Sequence, residues 1–95
     1  MGGKRVNTTD IPQQSPEAVA RTIDGELFIM NAANQELHAL SEVGARVWEL
    51  ADGKRDVAGI VDAIVDEYEV ERARAEEDVL AFLEILIGKE LIAIS

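Results

Sequence analysis

The sequence predicts an α+β fold in which a three-stranded antiparallel sheet is followed by three helices. Short β-branched and apolar runs separated by turn residues occupy residues 18–40, and apolar residues then recur at helical spacing. With 95 residues, the chain has room for one domain. Its hydrophobic content of 47% is enough for a single core, although a chain this short buries only roughly 60–65% of its unfolded surface.

Composition excludes several classes of function. The formal net charge is −10, which argues against nucleic-acid binding because phosphates are neutralised by clustered Lys and Arg. The chain has no Cys and a single His, His38, so disulfides, thiolate sites and His–His metal pairs are excluded. No apolar run approaches the ~18 residues of a membrane span, and the first residues lack the apolar centre of a signal peptide. We therefore expect a cytoplasmic domain without catalytic residues, metal or cofactor.

The first sixteen residues differ in composition from the rest of the chain. Residues 1–16 are polar and contain both prolines, and their only aliphatic residues after Met1 are Val6 and Ile11. Such a segment buries too little apolar surface to offset the entropy lost on ordering. We predict a flexible tail over residues 1–16 and a single domain over residues 17–95.

Three short strands are predicted next. Ala18–Ile23 and Glu26–Met30 are rich in β-branched and large apolar residues, and Asp24-Gly25 between them suits a type I′ hairpin turn. Residues 31–34 have the composition of a second turn, and Glu36–Leu40 has the length of a third strand. The predicted sheet is therefore a meander.

Three helices follow. Ser41 is a suitable N-cap for the first helix, which extends through residue 51, and Asp56 can cap the second. The third helix is predicted over Arg72–Ile87, with Gly88 as the residue that ends it. Leu91–Ile94 can form a short extended segment.

The third helix carries more apolar surface than one core requires. At ~100° per residue its apolar arc spans roughly 220°, about double the ~100° that a helix needs to pack on one side. Phe82 and Ile85, with Asp78 between them, form the margin that we assign to a partner. The alternative is a central helix that uses its whole arc on the sheet and the other two helices.

The third strand is expected to lie at the edge of the sheet. Unpaired N–H and C=O groups of such a strand can accept an extended peptide as an additional strand. An edge beside a helix with spare apolar surface therefore predicts peptide recognition by strand addition. The alternative is a short edge that simply remains unpaired.

Four segments of the chain resemble the PqqD family. They are Leu37–Leu50 (LHALSEVGARVWEL), Asp52–Arg55 (DGKR), Asp78–Leu83 (DVLAFL) and the pair Leu91-Ile92. The resemblance covers about residues 18–93. It implies a small winged helix-turn-helix domain of three strands and three helices.

The resemblance also implies a function. Proteins of this family are peptide chaperones that bind the leader of a ribosomally made precursor peptide (RiPP recognition elements). They present it to a modifying enzyme, which in pyrroloquinoline quinone (PQQ) biosynthesis is a radical S-adenosylmethionine (radical SAM) enzyme. The leader adds to the third strand and lies against the third helix. The expected peptide-binding residues are therefore Leu37, His38, Ala39, Leu40, Asp78, Val79, Phe82, Ile85 and Leu86.

Individual residues leave alternatives open. Asp78 can pair with a basic leader residue or be a solvated charge of the helix surface. His38 can contact the peptide or face solvent, and Trp48 is expected to pack in the core.

Three other functions are kept as alternatives. A winged-helix DNA-binding regulator would need a basic surface, which a charge of −10 disfavours. A small enzyme would need an acid–base pair or metal-ligand set, and the sequence offers only carboxylates. A structural homodimer would pair the edge strands of two copies.

Overall fold

The computed structural model describes residues 5–33 and 35–95. The predicted order of three strands and three helices is confirmed, with a strand added at each end. The elements are β1 (Pro12–Gln14), β2 (Ala18–Ile23), β3 (Glu26–Asn31), β4 (Leu37–Leu40), α1 (Glu42–Leu50), α2 (Val57–Tyr68), α3 (Arg72–Gly88) and β5 (Ile92–Ile94). Strands β2, β3 and β4 form one antiparallel sheet in that order, and β1 pairs with β5 in a second sheet.

The hairpin between β2 and β3 has the turn that its sequence predicts. Asp24 and Gly25 both have positive φ angles, 53° and 80°, as a type I′ turn requires. The turn after β3 begins at Asn31, the last residue of that strand. Its buried side chain accepts a hydrogen bond from the N–H of Ala33 and donates one to the carbonyl oxygen of Glu90. The predicted turn over residues 31–34 is thereby confirmed up to Ala33, and residue 34 lies outside the described residues.

Both predicted N-caps are confirmed. The Ser41 hydroxyl accepts a hydrogen bond from the N–H of Gly44, and the Asp56 carboxylate accepts one from Gly59, each at the third position of its helix. The predicted end of α3 is wrong by one residue. Gly88 is the last helical residue rather than the residue after the helix, and the positive φ angle of this turn, 61°, belongs to Glu90.

The N-terminal segment departs from the predicted flexible tail. Residues 12–14 form β1, Val6 is buried in the core, and Ile11 exchanges two backbone hydrogen bonds with Ser95. The carbonyl oxygens of Thr8 and Asp10 accept hydrogen bonds from the first N–H groups of α2. Backbone pairing of this kind leaves no hydrophobic pattern in a polar sequence, so composition alone does not predict it.

A single hydrophobic core lies between the three-stranded sheet and the helices. Its centre includes Ile29 of β3, Ile60 of α2 and Leu83 of α3, and all three side chains are fully buried. Trp48 is also buried, as predicted. Over residues 5–33 and 35–95, none of the helices combines the length and apolar character needed to cross a membrane.

Candidate functional site

The register of the sheet determines which backbone groups of β4 point outward. Ile23 and Glu26 close the two-residue hairpin, so alternate residues of β3 hydrogen-bond to β2. The hydrogen bond from the N–H of Ala32 to the oxygen of Glu17, at 2.9 Å, continues this alternation beyond the strands. The intervening residues of β3, Leu27 and Ile29, therefore direct their backbone groups towards β4.

Strand β4 consequently has one bonded and one open side. Leu40 and His38 pair with Leu27 and Ile29, so their backbone groups are used inside the sheet. The N–H and C=O groups of Leu37 and Ala39 point away from β3. In the part of the chain that the structure describes, no strand pairs with this side of β4. The predicted open edge is therefore present.

Helix α3 runs along this open edge. Near the start of β4, the ammonium group of Lys89 lies 3.8 Å from a carboxylate oxygen of Glu36. Near its end, the ring of Phe82 packs on Gly44, where an added Cβ atom would lie 3.1 Å from Cε1 of that ring. The C-terminal half of α3 and β4 therefore lie side by side in opposite directions.

The predicted apolar margin of α3, formed by Phe82 and Ile85, is not fully buried in the core. The side chain of Ile85 is 57% exposed, and that of Phe82 is only partly buried. On the other side of the helix, the Glu84 carboxylate accepts a hydrogen bond from the N–H of the buried Val6. The N-terminal segment therefore contacts one side of α3, while the side that carries Phe82 and Ile85 remains open.

The remaining candidate residues fall into two groups. Leu37, Ala39 and Asp78 are exposed, and His38 is half-buried on the face of the sheet that packs on the helices. Leu40, Val79 and Leu86 are core residues. Their side chains are almost inaccessible to solvent, and of these three only Val79 lines the cavity described next.

A cavity of about 310 Å³ lies at the α1 end of this groove. It brings Asp78, Val79 and Phe82 of the predicted site together with Ser41 and the first turn of α1. Sequence reasoning did not assign the other lining residues to the site, and Val43, Tyr68, Val70 and Arg74 are among them. Val70, an apolar residue in the short connection between α2 and α3, is the one that a search for isolated apolar loop residues could have found.

Charged groups are found at both ends of the groove. At the cavity, Nε of Arg74 lies 3.3 Å from a carboxylate oxygen of Asp78. The pKa of the Tyr68 phenol is raised there, because the phenol is partly buried and because the negative charge of Glu42 is nearby. At the other end, Nε2 of His38 lies 3.4 Å from Glu36. The Arg74–Asp78 pair is largely solvent-exposed, so it contributes little stability and can exchange partners readily.

Metal-binding side chains do not cluster in residues 5–33 and 35–95. No three His, Cys, Asp or Glu side chains there are arranged to hold a metal ion.

Solved structures share this fold. TbiB1 in complex with the TbiA(beta) leader peptide superimposes with a TM-score of 0.76 and 35% sequence identity, over 84% of this chain and 93% of that one. The PqqD truncation of Methylobacterium extorquens PqqCD, a stand-alone RiPP recognition element solved in solution, gives a TM-score of 0.77 at 21% identity. That match covers 93% of this chain and 94% of the other. At such identity the second comparison shows the fold alone.

Comparison with a related sequence and with a family model shows the family of this chain. A PqqA binding protein of Rhodopseudomonas palustris strain TIE-1 is 39% identical over 57 residues, which are 60% of this chain and 56% of that protein. The match thus spans little more than half the length of that relative. The family model of coenzyme PQQ synthesis protein D (PqqD) matches residues 26–92, which include β3, β4 and all three helices. The chain therefore belongs to the PqqD family.

Proposed function

We propose that this chain is a non-catalytic peptide chaperone that binds the leader of a ribosomally made precursor peptide. The leader adds as a strand to β4 and lies against α3. The chain then presents the peptide to a modifying enzyme in the cytoplasm, a radical SAM enzyme in PQQ biosynthesis or a related pathway. The observation that carries this proposal is the open side of β4 beside the exposed part of α3.

Two parts of the groove provide different contributions to binding. The outward N–H and C=O groups of Leu37 and Ala39 can form the ladder with an added strand, and they do so for any sequence. Phe82 and Ile85 offer apolar surface to the side chains that the added strand turns towards α3. Burying that surface contributes roughly 25 cal/mol per Å², so the helix side supplies selectivity for apolar leader residues.

The comparisons support peptide binding. The relative from Rhodopseudomonas palustris is called a PqqA binding protein, and TbiB1 was solved with a leader peptide bound. Both names describe binding rather than turnover, in keeping with a groove built from backbone groups and apolar side chains. The modifying enzyme and its radical chemistry remain part of the proposal.

A nuclear magnetic resonance titration tests the proposal. Leader peptides encoded by genes beside that of this chain are added to the ¹⁵N-labelled protein, and a scrambled peptide of the same composition is the control. We expect the largest amide shifts at Leu37 and Ala39 and in α3 around Phe82, with small shifts at Ala18 and Ala20 of β2. Shifts confined to β2, or none with any encoded leader, would refute the proposal.

Two further measurements address the alternative functions. A mobility shift of duplex DNA at low salt would favour a DNA-binding regulator, whereas we expect no shift at a net charge of −10. Light scattering over a range of concentrations detects a homodimer. If the edges of two β4 strands pair, a leader peptide should compete with self-association.

A further inference from the structure

The three-stranded sheet has a second face that the fold leaves uncovered. We call it the outer face, and it is formed by the side chains of Val19, Arg21, Ile23, Glu26, Phe28, Met30, Leu37 and Ala39. The exposed fractions are 40% for Val19, 49% for Ile23 and 62% for Leu37. Phe28 and Met30 are partly buried, but they do not pack against the core. These residues form an apolar surface on the side of the sheet opposite the helices.

This surface differs in charge from the chain as a whole. The chain has a net charge of −10, yet the outer face carries only two charged residues, Arg21 and Glu26. Glu26 lies at the hairpin end, whereas Arg21 pairs with Phe28 in the middle of the β2–β3 ladder. Among the described residues Arg21 has no ion-pair partner. The outer face therefore presents an apolar surface with one positive charge near its centre.

The outer face is continuous with the proposed peptide edge. Leu37 and Ala39 belong to both, because their backbone groups point to the open side of β4 and their side chains lie on the outer face. A strand added to β4 places every second side chain on that face, next to Leu37. Peptide binding therefore extends the outer face by one strand, and a protein that covers this face also contacts the bound peptide.

We propose that the outer face is the docking surface for the peptide-modifying enzyme. This inference rests on the proposed function, since the enzyme is the protein that must receive the bound peptide. The complementary surface on the enzyme is expected to be apolar, with a carboxylate placed to pair with Arg21. Docking across both the outer face and the added strand makes the enzyme prefer the chain with its peptide bound over the free chain.

A second copy of the chain fits this surface less well. In a two-fold symmetric dimer a residue near the axis meets its own counterpart. Face-to-face packing of two outer faces would bring two Arg21 side chains together near the centre, with like charges opposed. A partner of different sequence avoids this repulsion.

The experiment uses the modifying enzyme encoded beside this chain, and it separates leader binding from enzyme binding. Calorimetry measures the affinity of the chain for the leader, and surface-immobilised enzyme measures the affinity for the chain–leader complex. Ile23→Asp should weaken enzyme binding by about ten-fold or more, as for an interface hot spot, and leave leader binding unchanged. Arg21→Glu, which changes an exposed charge without altering the apolar packing, should have the same effect, and Arg21→Lys should restore much of the enzyme binding.

Thr22→Asp is the matched control, because it adds the same charge to the same strand on the opposite side of the sheet. It should leave both affinities unchanged. Wild-type enzyme binding by Ile23→Asp and Arg21→Glu would overturn the inference even if leader binding is normal. Dissociation of a wild-type dimer by Ile23→Asp, with enzyme binding retained, would assign the outer face to self-association and also overturn it. Failure of the wild-type chain to bind leader would instead count against the proposed function.

Discussion

The two edges of the three-stranded sheet have the same backbone chemistry and different surroundings. On β4, the outward N–H and C=O groups belong to Leu37 and Ala39, and on β2 the same alternation assigns them to Ala20 and Thr22, whereas the N–H of Ala18 donates to the carbonyl oxygen of Ser15. Within residues 5–33 and 35–95, only β4 has a helix with exposed apolar side chains beside it. Open hydrogen-bonding groups are therefore common to both edges, and the neighbouring α3 is what makes one of them a candidate peptide site.

The connection after each edge strand explains this difference. Ser41 alone separates β4 from α1, so the end of the strand is held against the helices and Gly44 lies under Phe82. Strand β2 instead ends in the Asp24-Gly25 turn, which leads back into the sheet. Five of the six residues of β2 are exposed. An added strand at β2 would gain backbone hydrogen bonds but little apolar contact.

Removal of the helix surface should have the largest effect. Phe82→Asp replaces apolar surface of the groove with a charge, and we expect leader affinity to fall on the order of 100-fold, as at an interface hot spot of about 3 kcal/mol. Calorimetry with the cognate leader measures the loss. Ile85→Asp, at a more exposed position, should act in the same direction with less effect on folding.

Ala73→Asp is the matched control for Phe82→Asp. Ala73 is exposed on the same helix, and nine residues at ~100° each place it on the side opposite Phe82. We expect it to bind the leader like the wild type. Normal affinity of both Phe82→Asp and Ile85→Asp would contradict the assignment of α3 to the site.

Proline substitutions test the two edges directly. Ala39→Pro removes an outward N–H group of β4, and Ala20→Pro removes the equivalent group of β2, without loss of a ladder hydrogen bond in either case. We expect Ala39→Pro to weaken leader binding about five- to ten-fold, because one intermolecular hydrogen bond is lost and the proline ring obstructs the edge. Ala20→Pro should stay within about two-fold of the wild type. Equal losses from both substitutions would show that the two edges are not distinguished by the peptide.

A smaller change tests the position of the Phe82 ring. A methyl group at Gly44 would lie 3.1 Å from Cε1 of Phe82 and 3.2 Å from the Ser41 hydroxyl, so Gly44→Ala pushes the ring a few tenths of an ångström towards the groove. We expect leader affinity to fall about three-fold, while the gain of about 1 kcal/mol in helix propensity offsets the strain in the free energy of unfolding.

Gly88→Ala is the control for Gly44→Ala, because it also replaces a helical glycine by alanine. Nothing lies within 4 Å of a methyl group at this position. The free energy of unfolding should rise by about 0.5–1 kcal/mol without a change in leader affinity. Urea denaturation and calorimetry measure the two quantities, and an unchanged affinity of Gly44→Ala would show that the ring position does not matter for the peptide.

Local signals in the sequence were sufficient to predict most of the fold. The turn at Asp24-Gly25, the caps at Ser41 and Asp56 and the wide apolar arc of α3 each depend on a few neighbouring residues. The open edge of β4 followed from the order of the strands. These features required no knowledge of contacts between distant parts of the chain.

Features that depend on distant contacts were missed. β1 pairs with β5 across nearly the whole length of the chain, and its polar residues give no periodic signal. A helical wheel placed Val79 and Leu86 within one continuous apolar arc, but only packing decides that both are buried while Ile85 is exposed. The cavity beside Phe82 combines residues from three helices and two connections, so no local pattern could define it.

The prediction with the smallest expected effect concerns an ion pair that holds α1, the helix directly after β4, against α2. The Arg46 guanidinium binds both carboxylate oxygens of Glu67, each at 2.8 Å, and thereby connects α1 to α2 next to Tyr68. This contact lowers the pKa of Glu67 in the folded protein. Its stabilising contribution is therefore present above the unfolded pKa of about 4.3 and is lost as the pH falls through the lower folded value.

Urea denaturation at pH 7 and pH 3 measures this contribution, and Glu67→Gln should lose less free energy of unfolding between the two pH values than the wild type. The difference should be small, because both partners are about one-third exposed and solvent screens the pair. Asp66→Asn is the control, since it removes an adjacent carboxylate that makes no ion pair within the described residues. If Glu67→Gln and Asp66→Asn change the pH dependence equally, the Arg46–Glu67 pair has no specific role in holding α1 beside the groove.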